Sequence, residues 1–226
     1  MFLKSLNEIL SFFFPLHCII CKKEGGRVCG RCLTKVFKKN AIQKCPVCLN
    51  VSKKGRTCTL CKEKTSLDAL FVVSSYEGSP QLQSLLKQLK YRYSFEIAEL
   101  LALYIGDFLE EEGVSISDFH VSYVPLHWRR YLERGFNQSA LIANALQKPY
   151  SLLRRVKNIP QQAKLSRFDR LKNVKNAFSY SATIYPEKVL LIDDVASTGA
   201  TLNACAKELK RFGVKEVWGC VIARNQ

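Results

Sequence analysis

The apolar positions of this chain change their spacing twice. In residues 1–15, Phe2, Leu3, Leu6, Ile9, Leu10 and Phe13 recur at helical intervals and Pro15 ends the run, which predicts a short amphipathic helix docked on the main body. Residues 16–66 show no period; they are rich in Lys and turn residues and too short to hold a core without staples. From residue 67 short apolar runs alternate with amphipathic ones. Strands are predicted at Asp68–Tyr76, His120–Pro125, Leu152–Val156, Lys188–Asp193 and Glu216–Ala223, and helices at Pro80–Leu89, Glu96–Leu109, Asn137–Gln147 and Ala200–Phe212. Short, continuously apolar strands are buried on both faces, so the alternation predicts an α/β domain with a mostly parallel sheet. The pattern divides the chain into an N-terminal helix (1–15), a small module (16–66) and an α/β domain (67–226). Residues 157–187, basic and polar and ending in NAFSYSATIYP, fit the alternation poorly and suggest an inserted flap.

With 226 residues, 47% hydrophobic and 24% charged, the chain has room for one α/β domain and a small module, and wholesale disorder is excluded. The longest apolar run, Leu10 to Leu16 broken by Ser11 and Pro15, is far short of a membrane span. Lys4 and Glu8 interrupt the first apolar stretch and no small-residue cleavage site precedes Cys18, so a cytoplasmic protein is expected. The formal charge of +16 is unevenly spread: residues 1–66 hold 14 Lys/Arg against 3 acids, and residues 129–175 hold 12 against 2. Two separate positive regions point to a polyanionic partner, nucleic acid or a phosphate-rich ligand, against the plainer reading of solubility by surface lysine.

Eight of the ten cysteines fall before residue 62 in four C-x-x-C pairs, Cys18/Cys21, Cys29/Cys32, Cys45/Cys48 and Cys58/Cys61. In a reducing compartment such pairs read as metal ligands rather than disulfides. A C-x-x-C knuckle sets two sulfurs on one side of a tight turn, and two knuckles close a tetrahedral zinc site. Sequential pairing yields two short ribbons, Cys18–Cys21–Cys29–Cys32 and Cys45–Cys48–Cys58–Cys61; alternate pairing yields a cross-braced module. The shorter loops favour the sequential arrangement. One or two structural Zn2+ ions are expected, in a ribbon that either contacts nucleic acid or a protein partner or only folds a small cap. Cys205 and Cys220 sit in apolar patterns and read as small core residues.

The stretch Val189–Leu202, VLLIDDVASTGATL, carries the most chemistry. Four apolar residues form a buried strand with Asp193 and Asp194 at its carboxyl end; the small residues Ala196, Ser197, Thr198, Gly199, Ala200 and Thr201 then turn into a helix. Ligands of open α/β sheets bind just beyond the strand ends. Small side chains let successive backbone N–H groups approach a phosphate, and the helix N-terminus adds positive potential. Gly199 permits a backbone shape that other residues resist, while Thr198 and Thr201 add hydroxyl donors. Paired carboxylates suit sugar hydroxyls or a hydrated Mg2+ ion. A sugar phosphate is predicted. The stretch is neither a Walker loop nor a dinucleotide fingerprint; the plainer alternative is an ordinary strand–turn–helix with exposed aspartates.

Val189–Leu202 resembles the phosphoribosyl pyrophosphate (PRPP) signature of type I phosphoribosyltransferases. Val124–Ala143 (VPLHWRRYLERGFNQSALIA), with RGFNQ at Arg134–Gln138, resembles the ComF family of competence proteins, as does Gln162–Phe178 (QAKLSRFDRLKNVKNAF). So does the four-knuckle module ahead of a YEG…LK segment at Tyr76–Gly78 and Leu89–Lys90. The resemblance implies a zinc-binding module on a type I phosphoribosyltransferase-like domain. In naturally transformable bacteria such proteins support the handling of incoming single-stranded DNA beside a helicase-like partner. By the motif, Asp193 and Asp194 would hold ribose hydroxyls, and Val195, Ala196, Ser197, Thr198, Gly199, Ala200 and Thr201 the 5′-phosphate. Pro125, Leu126 and His127 would match the loop that cradles pyrophosphate, with Mg2+ accompanying PRPP.

Two functions follow from this reading. As an enzyme, the protein would displace pyrophosphate from C1 of the ribose, with Mg2+ and Arg129, Arg130 and Arg134 stabilising the departing oxygens while the acids position the sugar. The flap offers no recognisable hood for an acceptor base. As a DNA-handling protein, it would keep the PRPP or sugar-phosphate cradle and bind a single strand. Trp128, Tyr131, Phe136, Tyr150 and Phe168 lie among the cations of this region, where phosphates meet charge and bases stack on rings. His127 reads either as a donor to pyrophosphate or as a capping residue.

Overall fold

The computed structural model describes residues 17–24, 28–36, 42–75, 79–90, 94–157 and 176–224. The helix expected over residues 1–15, Tyr76–Gly78 and residues 158–175 of the expected flap lie outside the described residues. In chain order the regular elements are α1 (Gly30–Val36), β1 (Ala69–Ser75), α2 (Pro80–Leu89), α3 (Ser94–Glu111), β2 (His120–Tyr123), α4 (Trp128–Arg134), α5 (Gln138–Leu146), β3 (Leu153–Arg155), β4 (Phe178–Tyr180), β5 (Lys188–Ala196), α6 (Ala200–Arg211) and β6 (Glu216–Arg224).

Strands β1, β6, β5 and β2, in that spatial order, form an all-parallel sheet. The continuous apolar runs bury both faces, and side chains separate by parity. Leu190 and Ile192 of β5, with Trp218, Cys220 and Ile222 of β6, pack in the core formed by α2, α3 and α5. Val189 and Leu191, with Val217 and Val221, face Leu202, Cys205, Ala206 and Leu209 of α6. Cys205 and Cys220 are fully buried, as their apolar settings predict. Helices thus cover the two faces of one sheet, and among the described residues no helix is long and apolar enough to cross a membrane.

Three departures from the sequence reading bear on the site. The strand expected over Leu152–Val156 does not join the parallel sheet; β3 pairs antiparallel with β4 in a separate ribbon. The chain instead docks on β2 at Tyr150: its N–H donates to Val121 at 2.8 Å, and Ser122 Oγ donates to its carbonyl at 2.8 Å. The chain then turns away to meet Phe178–Tyr180, a strand hidden in the flap-like composition. Helix α4 was not expected because it buries none of its residues, so no burial period marks it. Finally, β5 runs past Asp193: Val195 pairs with Ala223 and Ala196 with Arg224, so the turn starts at Ser197.

The cysteine-containing segments pack on this frame. Ile19 and Val36 join the core that includes α2. At the edge of β1, the Gln43 side-chain amide imitates a neighbouring strand: its Nε2 donates to the Val72 carbonyl at 3.0 Å, and its Oε1 accepts from the Val72 N–H at 3.1 Å. The Thr57 N–H donates to the Asp68 carbonyl at 2.8 Å, and Arg56 bridges Ala69. The edge that would otherwise be open is covered. Gly55 makes that approach possible: at φ +60°, a Cβ there would stand 2.2 Å from the Leu70 carbonyl oxygen.

Candidate functional site

Each pair of knuckles draws four sulfurs together. Cys18, Cys21, Cys29 and Cys32 form one cluster and Cys45, Cys48, Cys58 and Cys61 another, with all sulfurs in each within 4.8 Å of one another. The sequential pairing is therefore the one adopted. The two centres repeat one construction. The Cys18 N–H donates to Lys23 and the Lys22 N–H to Cys18; likewise Cys45 donates to Asn50 and Leu49 to Cys45. Lys22 and Leu49 take the same left-handed conformation, φ 64° and 65°. Sulfur–sulfur separations of 3.7 Å (Cys21–Cys29) and 3.8 Å (Cys48–Cys58) fit zinc: a tetrahedron with Zn–S bonds of about 2.3 Å has edges of about 3.8 Å. Burial opposes charge on Cys18 and Cys45, but backbone N–H groups aimed at their sulfurs prevail and bring both thiols down to about 6. Burial beside the other sulfurs pushes Cys32 and Cys61 up to about 12. The donor set suits Zn2+, which would supply the rigid closure that so small a module lacks.

The second site lies at the carboxyl ends of β5 and β2. Successive residues on a strand face opposite ways, so Asp193 and Asp194 are held by different partners. Asp193 Oδ1 accepts from Ser139 Oγ at 2.7 Å and from the Asp194 N–H at 3.0 Å. Asp194 Oδ2 lies 3.3 Å from Lys90 Nζ, and its Oδ1 accepts from the Val195 N–H at 2.8 Å. Burial and the Asp194 charge push the Asp193 carboxyl up to about 7, against the pull of Ser139, the Asp194 amide and Lys90. Beyond the strand, Gly199 adopts φ 76° and ψ 3° as the N-cap of α6, and Thr198 Oγ1 accepts from the Ala200 N–H at 3.3 Å. A small-residue loop at a helix N-terminus therefore follows directly on two partly buried carboxylates, an arrangement able to hold a polyhydroxyl group and an anion side by side.

The residues matched to a pyrophosphate loop connect β2 to α4. The Val124 N–H donates to Ile192 at 3.0 Å, which ties the start of Pro125–Leu126–His127 to β5. His127 is buried, and its Nδ1 caps α4 by accepting from the Arg129 N–H at 3.3 Å. Burial, then Arg155, Arg129 and Arg130, hold its imidazole below the ordinary range. The structure thus shows His127 as a cap of α4. Arg129 stacks 5.3 Å from the exposed Trp128 ring. Arg130 lies close enough to Arg134 for burial and mutual repulsion to lower its pKa. Tyr131 and Leu132 also project to solvent, so α4 presents rings and guanidinium groups together.

A family model described as a phosphoribosyl transferase domain matches residues 132–226, the part that holds Asp193, Asp194 and the loop. The chain is also 31% identical to Competence protein F of Haemophilus influenzae, across 92% of this chain and 97% of that protein. The chain belongs to the ComF family. To Competence protein ComFC of Streptococcus pneumoniae it is 29% identical, across 95% of this chain and 94% of that one. To the DNA utilization protein YhgH of Escherichia coli K12 it is 32% identical, across 77% and 82%. The expected architecture stands: a phosphoribosyltransferase-type α/β domain with a mostly parallel sheet, preceded by two cysteine tetrads.

Beside the two acids and the loop of this ComF chain, or next to a residue that holds them, stand residues that the sequence did not single out for the site. Ser139 and Lys90 hold the two acids. Lys90 ends the YEG…LK segment, the one signal that marked it. Arg155 of β3 is partly buried beside Asp193 and Cys205, and its Nε has no hydrogen-bond partner among the described residues. Gln138, next to Ser139, is buried with its Nε2 likewise unpartnered. Arg224 reaches the loop from the end of β6. All five come from segments distant from Val189–Leu202, and no spacing rule connects them to it.

Proposed function

We propose that this ComF protein binds a 5-phosphorylated ribose of the PRPP class at the end of β5 and a single DNA strand along α4, in support of DNA uptake. The observation that carries the reading is the juxtaposition of Asp193 and Asp194 with the loop that Gly199, at φ 76°, carries into α6. In this reading the acids take ribose hydroxyls, and the turn from Ser197 to Thr201 takes the 5′-phosphate, whereas Val195 and Ala196, expected in that loop, belong to β5 and the Val195 N–H is held by Asp194. Pro125–His127 would line the pyrophosphate side, with Arg129, Arg130 and Arg134 supplying positive charge. Mg2+ would accompany the pyrophosphate and neutralise its oxygens. Zinc in the two tetrads would be structural.

Trp128 and Tyr131, exposed among Arg129, Arg130 and Arg134, support contact with a flexible polyanion whose bases stack. The names of the relatives, competence and DNA utilization, support DNA uptake as the setting. A helicase-like protein is the partner this setting implies.

The deciding experiment measures PRPP binding and single-stranded DNA binding to the zinc-loaded protein, separately and in competition. Wild type is expected to bind both, with DNA affinity falling steeply as salt rises. Asp193→Asn with Asp194→Asn is expected to abolish PRPP binding with the fold intact; unchanged PRPP affinity would overturn the assignment. Pyrophosphate release from PRPP that requires an added nucleobase would establish transferase catalysis at the same site.

A further inference from the structure

The Arg224 guanidinium reaches in two directions. Arg224 ends β6, is 7% exposed, and pairs through its backbone with Ala196. Its Nε donates to the Ser197 carbonyl at 3.2 Å, and its Nη2 donates to the Pro46 carbonyl at 2.9 Å. Ser197 opens the small-residue loop. Pro46 follows Cys45 within the knuckle of the second tetrad.

The geometry points to Arg224 as a positioning residue that couples the second cysteine tetrad to the loop after β5. The coupling matters for ligand binding if that loop is the phosphate cradle, so this consequence rests on the function proposed above. In a planar trans peptide the carbonyl and the following N–H point opposite ways. Anchoring the Ser197 carbonyl on Arg224 therefore turns the Thr198 N–H away from Arg224, and Gly199 at φ 76° carries the chain onward into α6. The other end of the guanidinium is held on the knuckle that carries Pro46. That knuckle is closed by the Cys45–Asn50 and Leu49–Cys45 backbone bonds and tied to β1 by Gln43. Zinc held by Cys45, Cys48, Cys58 and Cys61 would stiffen it further. A planar fork spans two carbonyls at once, whereas a lysine ammonium offers a single point of charge.

Hydrogen exchange on the full, zinc-loaded chain tests the coupling without a ligand. Arg224→Lys is expected to speed exchange of the 197–201 amides about tenfold, the worth of one charge-assisted bond, with two zinc ions retained and the β3–β4 ribbon unchanged. Cys48→Ser is expected to speed the same amides by loosening the knuckle. Loop exchange at the wild-type rate in either variant would overturn the coupling. By reciprocity, PRPP is expected to tighten zinc binding at the second tetrad, read by competition with a chelator at equilibrium, and to bind Arg224→Lys about tenfold more weakly. Failure of PRPP to bind wild type, with loop exchange still raised in both variants, would sink the phosphate reading and leave the coupling standing.

Discussion

Ser139 of α5 and Asp193 of β5, 54 residues apart, meet in a 2.7 Å hydrogen bond in which the serine hydroxyl donates to the carboxylate. The bond favours the charged form of a carboxyl that burial and Asp194 drive toward protonation. Asp193 is thereby poised near neutrality, close to Arg155 and Lys90. Such groups cluster where ligands bind, because the strain on the free protein is relieved when a partner arrives.

This poise makes stability depend on pH. Between 3.8 and about 7 the native Asp193 retains a proton that the unfolded chain releases, so stability falls as pH rises through that window. Asp193→Asn is expected to stabilise the protein by about 1–2 kcal/mol at pH 8, with the gain vanishing below the ordinary carboxylate pKa. Urea unfolding across pH measures it; a gain independent of pH would contradict the assignment.

Lys90 lies 3.3 Å from Asp194 but remains a third exposed, so its worth to the fold is small. Lys90→Gln is expected to change stability by less than about 1 kcal/mol while raising the pH at which Asp193 ionises. Carbon-13 titration of the Asp193 carboxyl in both proteins gives the comparison.

Gly55 lies close against β1 in the second tetrad's segment. Gly55→Ala places a Cβ 2.2 Å from the Leu70 carbonyl oxygen in a conformation that disfavours side chains. A loss of about 2–4 kcal/mol is expected, read as a lowered midpoint in thermal unfolding. A wild-type midpoint would mean that the segment is not seated on the strand.

Metal analysis of the purified chain is expected to find two zinc ions. Cys45→Ala is expected to release one and to leave Cys18–Cys21–Cys29–Cys32 loaded, because the tetrads share no ligand. Full zinc content in the variant would contradict the pairing.

Trp128 and Tyr131 are 58% and 51% exposed, so their loss costs the fold little. Trp128→Ala with Tyr131→Ala is expected to weaken single-stranded DNA binding by about 1–3 kcal/mol for each stacked base lost, with unfolding unaltered. Fluorescence anisotropy with a labelled oligonucleotide reads this directly; wild-type affinity would remove α4 from the DNA path.

Much of the architecture was written in local patterns. The apolar runs at 188–193 and 216–223 read as strands buried on both faces, and α2 begins and ends where Pro80 and Leu89 place it. The flap was harder: the run at 152–156 reads as a strand, but Phe178–Tyr180 forms β4 only because β3 is there to pair with it, and so short a strand does not announce itself alone. Helix α4 escaped because a helix with no buried residue leaves no apolar stripe to detect.

Consecutive residues sufficed for whatever chemistry is local: cysteines two apart make a knuckle, and twin acids before a glycine turn make a cradle at a strand end. Folding in three dimensions chose the company those groups keep. It set Ser139 on Asp193, Lys90 on Asp194, and Arg224 between Pro46 and Ser197. It also seated the second tetrad's segment on the edge of β1. Contacts of that kind join segments far apart in the chain, so they depend on how the strands order and the layers close, and no short-range spacing encodes them.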